Sequence, residues 1–131
     1  MGERKDVKTA YEDSENLIEL AEIAERRNFP NRIIGALYIR SMIRGNDALC
    51  LKYLKEKPSR HHEATKYFAK LYEENHINEK YSKYKNKISD AVNQKTDLEY
   101  KPETLSKNQL KKLKKRAQRF QEKPVKQNLE T

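Results

Sequence analysis

The sequence holds one cysteine, three glycines and four prolines in 131 residues, and each shortage removes a class of structure. A lone Cys50 cannot close an internal disulfide. It lies in an apolar segment, so a buried, unreactive thiol is expected. So few glycines and prolines leave long stretches without breakers, which favours helices over an all-β sandwich with its frequent turns. Missing too are an apolar run of about 18 residues and a charged-then-apolar leader. No membrane insertion and no secretory signal are therefore expected, and the predicted location is cytoplasmic.

Apolar residues are scarce as well. They make up 35% of the chain against 37% charged, so a core must be assembled from amphipathic faces. The length predicts one domain, residues 1–123, with 124–131 as a frayed tail. The net charge is +9, but it is unevenly placed. Residues 101–131 carry ten Lys and Arg against three Asp and Glu, a net +7, leaving +2 for residues 1–100. Basicity is thus a property of the C-terminal part. At the other end Asp6, Glu12, Asp13, Glu15, Glu19, Glu22 and Glu25 predict an acidic face that repels phosphates.

Hydrophobic spacing predicts helices throughout. From Lys5 to Arg27, Val7, Ala10, Tyr11, Leu17, Ile18, Ala21 and Ala24 recur at helical intervals. Pro30 ends that helix and opens a second, from about Asn31 to Lys55, whose apolar residues cover nearly the whole circumference. Ser59 is the expected N-cap of a third helix, striped by Ala64, Tyr67, Phe68, Leu71 and Tyr72 and ending near Asn75. A fourth, from Ile77 to about Gln94, precedes an extended link over residues 95–104. Ser106 then caps a basic helix, 106–122, with Leu110, Leu113, Ala117 and Phe120 as its apolar stripe.

Three constellations carry possible chemistry. At 100° per residue, Arg40, Arg44 and Asp47 fall within about 60° of one another on the second helix, in the sector of Ile33, Ala36, Leu37, Leu51 and Leu54. Taken as the buried stripe, that sector demands paired charges, as a helix-to-helix ion pair, a functional polar pocket or a dimer-interface network. His61 follows the turn after this helix and is expected in the same part of the bundle, with the two helices antiparallel. Its neighbour His62 diverges by about 100°, so one ring should face the core and the other solvent, and no metal site is expected. The basic surface formed by Lys111, Lys112, Lys114, Lys115, Arg116 and Arg119 suits docking on the domain, RNA, or an anionic membrane surface. Glycine loops for phosphates and nucleophile elbows are absent, and no cofactor is expected.

"ALYIRSMIRGNDALCLKYL", the proline-serine turn, "HHEATKYFAKL" and "KTDLEYKPETLSKNQLKKLKKRAQRFQ" resemble, in order and spacing over residues 8–122, the HEPN family of small helical domains. The resemblance implies an up-and-down bundle of about five helices, often a two-fold dimer. Family members include metal-independent ribonucleases, frequently toxins neutralised by a nucleotidyltransferase-like partner, and non-catalytic nucleotide- or RNA-binding modules. The catalytic members place an arginine a few residues ahead of a histidine. Here Arg60 adjoins His61, and His76 has Lys70 at the matching distance. The expectation is therefore a non-catalytic HEPN-like module, homodimeric, binding RNA or a nucleotide or a partner protein. Its alternatives are a toxin-like ribonuclease using His61 with Arg40 or Arg44, and an adaptor whose acidic first helix meets a basic partner.

Overall fold

The structure, a computed structural model, describes residues 2–100 and 105–130. The protein is an all-α bundle, 84% helical, with no strand among the described residues. Five helices of ten residues or more build it: α1 (Gly2–Arg26), α2 (Asn31–Tyr53), α3 (Ala64–Glu73), α4 (Lys85–Tyr100) and α5 (Lys107–Phe120). A short α6 (Lys126–Leu129) follows.

α2 is the central element, with Ile34, Tyr38, Ile39, Met42, Leu49 and Cys50 all buried. α1 lies against it as an antiparallel hairpin. Asn28 makes this turn possible by taking the left-handed conformation (φ 57°), which asparagine tolerates, and Phe29 N–H closes onto the Ala24 carbonyl. Asp13 then comes beside Arg44, and Glu25 beside Tyr38. α5 covers another side of α2 through the expected stripe of Leu110, Leu113, Ala117 and Phe120, all buried. The predicted Ser106 cap is a full capping box: Ser106 Oγ accepts from Gln109 N–H, and Gln109 Oε1 accepts from Ser106 N–H. The basic helix therefore docks at home, and only its lysine and arginine side faces outward.

Glycine permits this closeness. A Cβ on Gly35 would collide with Leu105, and one on Gly45 would meet Val125 Cγ2 at 2.9 Å and Phe120 Cε1 at 3.4 Å. The backbone of α2 is thus nearly in contact with the side chains of the C-terminal segment.

Four local expectations are corrected. Ser59 does not cap α3; His61–Glu63 form a 3-10 turn first, and Ser59 Oγ donates to the Glu63 carboxylate instead. Two anchors place α3: Asn46 Nδ2 donates to the Ala64 carbonyl at its start, and the Tyr53 and His76 rings lie 5.9 Å apart just past its end. The connection therefore doubles back along α2, and α3 does not return antiparallel to it. The stretch read as an extended link is helical to Tyr100, while Pro102 lies outside the described residues. Finally, the tail is not frayed. Gln121–Val125 form a π-helical turn around Pro124, whose missing N–H cannot make the usual helical bond, and Pro124 and Val125 are buried. Lys52 Nζ and the Tyr53 hydroxyl both donate to the Asn128 carbonyl beyond it.

Candidate functional site

Arg40, Arg44, Asp47 and His61, singled out from the sequence, all line one cavity of about 620 Å3. α2 supplies its floor, because residues 32, 36, 40, 43 and 47 recur at three- and four-residue intervals along one face. The doubling back of the chain brings Lys57 and His61 over that face, and the last turns of α4 add Lys95 and Leu98. Asn46 fixes the arrangement from below. Fully buried, it ties α2 to the start of α3 and accepts a long bond from Cys50 Sγ (3.6 Å), so the 3-10 turn carrying His61 is held in register with Asp47.

The face is not the core stripe that the sequence suggested. Arg40 is exposed, Arg44 is half-buried, and only Asp47 is buried. Leu51 and Leu54, in the same sector, are likewise half-buried. The deepest face of α2 instead runs through Ile34, Tyr38, Met42, Gly45, Asn46 and Leu49, so the charges stand on a cavity wall. Both His61 and His62 are exposed, because the apolar stripe of α3 begins only at Ala64.

Charges on this wall have unequal commitments. The Arg44 guanidinium is shared between two carboxylates, Nη1 on Asp47 and Nη2 on Asp13, each at 3.1 Å. It therefore clasps α1 to α2 as a helix-to-helix ion pair, one of the roles that its spacing left open. Arg32 and Arg40 form no ion pair among the described residues. Burial raises the Asp47 pKa above the ordinary carboxylate range, although the Arg44 bond and the charges of Arg44, Lys57 and His61 act in the opposite sense.

A raised folded-state pKa makes a testable claim. The native state then holds its proton more tightly than the unfolded chain, so the Asp47 contribution to stability is fullest below the ordinary carboxylate pKa. It is lost as pH rises through the folded value. Asp47→Asn keeps an oxygen for Arg44, which also retains Asp13. Its urea midpoint should match or exceed that of the parent in neutral buffer, with the advantage shrinking in acid. A neutral-pH loss above about 1 kcal/mol, the scale of one net hydrogen bond, would contradict this.

Apart from Asp47 and His61, the polar wall is cationic: Arg32, Arg40, Arg44, Lys57 and Lys95. Ile33, Ala36, Ile43 and Leu98 line the remainder. Such a mixture suits an anion attached to a flat or apolar body. Among the described residues no three His, Cys, Asp or Glu side chains gather as metal ligands. No described helix is long and apolar enough to cross a membrane.

Sequence reading missed Arg32, Lys57, Lys95 and Leu98. Arg32 was legible, standing eight residues before Arg40 on the same face. Lys95 and Leu98 were hidden by treating their segment as non-helical. Of the basic α5 residues, Lys114 turns to Glu25 (2.9 Å) and Arg116 to Asp90 (3.6 Å), while Lys111, Lys112, Lys115 and Arg119 stay exposed.

In comparisons with known proteins, no family model matches the chain, and no curated protein or solved structure matches it. The resemblance to HEPN domains rests on the quoted residues alone.

Proposed function

We propose that this chain is a non-catalytic, HEPN-like helical module that holds a nucleotide in the α2 cavity and works as a homodimer. The supporting observation is the pairing of uncommitted cations with an apolar wall: Arg40 and Arg32 have no ion-pair partner among the described residues, and Ile33, Ile43 and Leu98 stand in the same cavity. Arginine forks match phosphate oxygens bidentately, and the apolar side offers a base a dry surface. The cavity volume lies within the range of roughly 300–1,000 Å3 typical of small-molecule sites. Against hydrolysis, Arg44 is already clasped by two carboxylates, and no arginine stands at the nuclease spacing from His61. For the dimer, support comes from the exposed Phe29 at the α1–α2 corner, outside the cavity and 47% accessible.

Calorimetric titration with adenosine and uridine monophosphates tests the ligand, with inorganic phosphate as the fragment. The parent should bind the nucleotides more tightly than phosphate, and Arg40→Ala should lose at least tenfold, about 1.4 kcal/mol, in affinity. Absence of nucleotide binding at millimolar concentration rejects the reading. Metal-free cleavage of transfer RNA that disappears in His61→Ala would install the ribonuclease reading in its place. Light scattering on the same sample should give twice the 15.6 kDa chain mass.

A further inference from the structure

The groove between α4 and α5 shares no lining residue with the α2 cavity. On one wall α5 presents Lys112, Lys115, Arg116 and Arg119, and the other wall is Tyr84 and Lys87. These α5 cations stand at i, i+3, i+4 and i+7, a single row on the order of 10 Å long. Tyr84 also lines a second hollow, bordered by Lys80, Lys83 and Lys123. Eight cations therefore line the two hollows, Lys80 and Lys83 lying over the Tyr81 and Tyr84 rings. Among the described residues Asp90, 3.6 Å from Arg116, is the only carboxylate paired with any of them.

Like charges at helical spacing repel one another, and apart from the Arg116–Asp90 pair between α5 and α4 no described ion pair holds them. Lys112, Lys115 and Arg119 are exposed, so they add little packing. The Tyr84 hydroxyl, on the wall between them, makes no hydrogen bond to any described residue. A row of cations with a spare hydroxyl donor is complementary to a chain of phosphates.

The dimensions narrow the occupant. The two hollows measure about 160 and 240 Å3, too small to enclose a nucleotide, so contact is with a backbone lying along the groove. Tyr81 and Tyr84 are buried by the bundle and offer no open face for a base to stack on. An anionic membrane is disfavoured because the apolar side of α5 is already spent inside the protein, leaving nothing to insert.

We propose that the α4–α5 groove is a track for the sugar-phosphate backbone of single-stranded RNA, bound without sequence readout. It does not depend on the nucleotide reading of the α2 cavity. The test is fluorescence anisotropy of a labelled oligouridylate with the full chain across a salt series. Log affinity should fall linearly with log salt, by about 0.7 per phosphate neutralised. The combined variant Lys112→Gln, Lys115→Gln, Arg119→Gln should flatten that slope by about 2 and weaken binding at least tenfold at low salt. Lys66→Gln, which removes an exposed α3 cation that lines neither the cavity nor the groove, should leave the slope unchanged, which separates the groove from general surface charge. All three replacements are at exposed positions, and an unchanged helical dichroism spectrum verifies folding. The proposal is overturned if the variant superimposes on the parent or if the parent shows no salt-dependent binding. It is equally overturned if duplex RNA of equal length binds more tightly with the same dependence, or if phosphatidylserine vesicles respond to the three substitutions and the oligouridylate does not.

Discussion

Deleting residues 124–131 is expected to lower the unfolding free energy by about 4 kcal/mol, a large share of the roughly 5–15 kcal/mol available to a domain of this kind. Val125 and Pro124 are fully buried, and Val125 packs where α2 exposes backbone at Gly45. Burying one such aliphatic side chain contributes roughly 1.5–3 kcal/mol. Leu129 packs on the same core, and the Tyr81 hydroxyl loses its bond to Gln127. The Lys52 and Tyr53 donors would turn to water, so their net contribution is modest. The check is urea unfolding followed by helical dichroism: the midpoint should drop sharply with the slope nearly preserved. An unchanged midpoint would mean the segment is dispensable after all.

The failure to foresee this packing has a specific cause. Leu110, Leu113, Ala117, Phe120 and Pro124 continue one three-four spacing, so the stripe was visible to its end, but a proline inside a helical pattern reads as a stop. The π turn resolves the conflict by widening the helix at the point where Pro124 lacks a donor. The existence of the five long helices was legible because periodicity and the Ser106 capping box are local properties, whereas the 3-10 winding of Glu79–Tyr84 and the helical continuation to Tyr100 were not. The site was legible in part for the same reason. Arg40, Arg44 and Asp47 share a face by spacing alone, whereas the exposure of that face depends on where α4 and the returning connection pack. Spacing fixes which residues are neighbours on one helix. It says nothing of which sector of a helix apolar almost all round meets the core, and there the charged sector was assigned to the wrong side.

Phe120→Ala is the second change with a large expected effect, about 4 kcal/mol, or a melting temperature lowered by about 15 °C. Phe120 is fully buried, with its ring 5.8 Å from Phe68 and 6.0 Å from Tyr84, centroid to centroid. It also approaches Gly45, so one side chain joins α2, α3, α5 and the turn entering α4. Truncation loses the transfer term, the edge-on contact with Tyr84 and the tilted one with Phe68, and leaves a cavity whose rim, with ring neighbours on both sides, cannot easily collapse. Phe120→Leu, which keeps most of the volume, should recover more than half of the loss. The functional consequence separates the two sites. Tyr84 is both a Phe120 neighbour and a wall of the α4–α5 groove, whereas the described lining of the α2 cavity includes neither. At a temperature where Phe120→Ala remains folded, oligouridylate binding should weaken although no cation has been removed, and nucleotide binding should be retained. Equal loss at both sites would show instead that the bundle loosens as a whole, and that the groove is not coupled to the core through Tyr84.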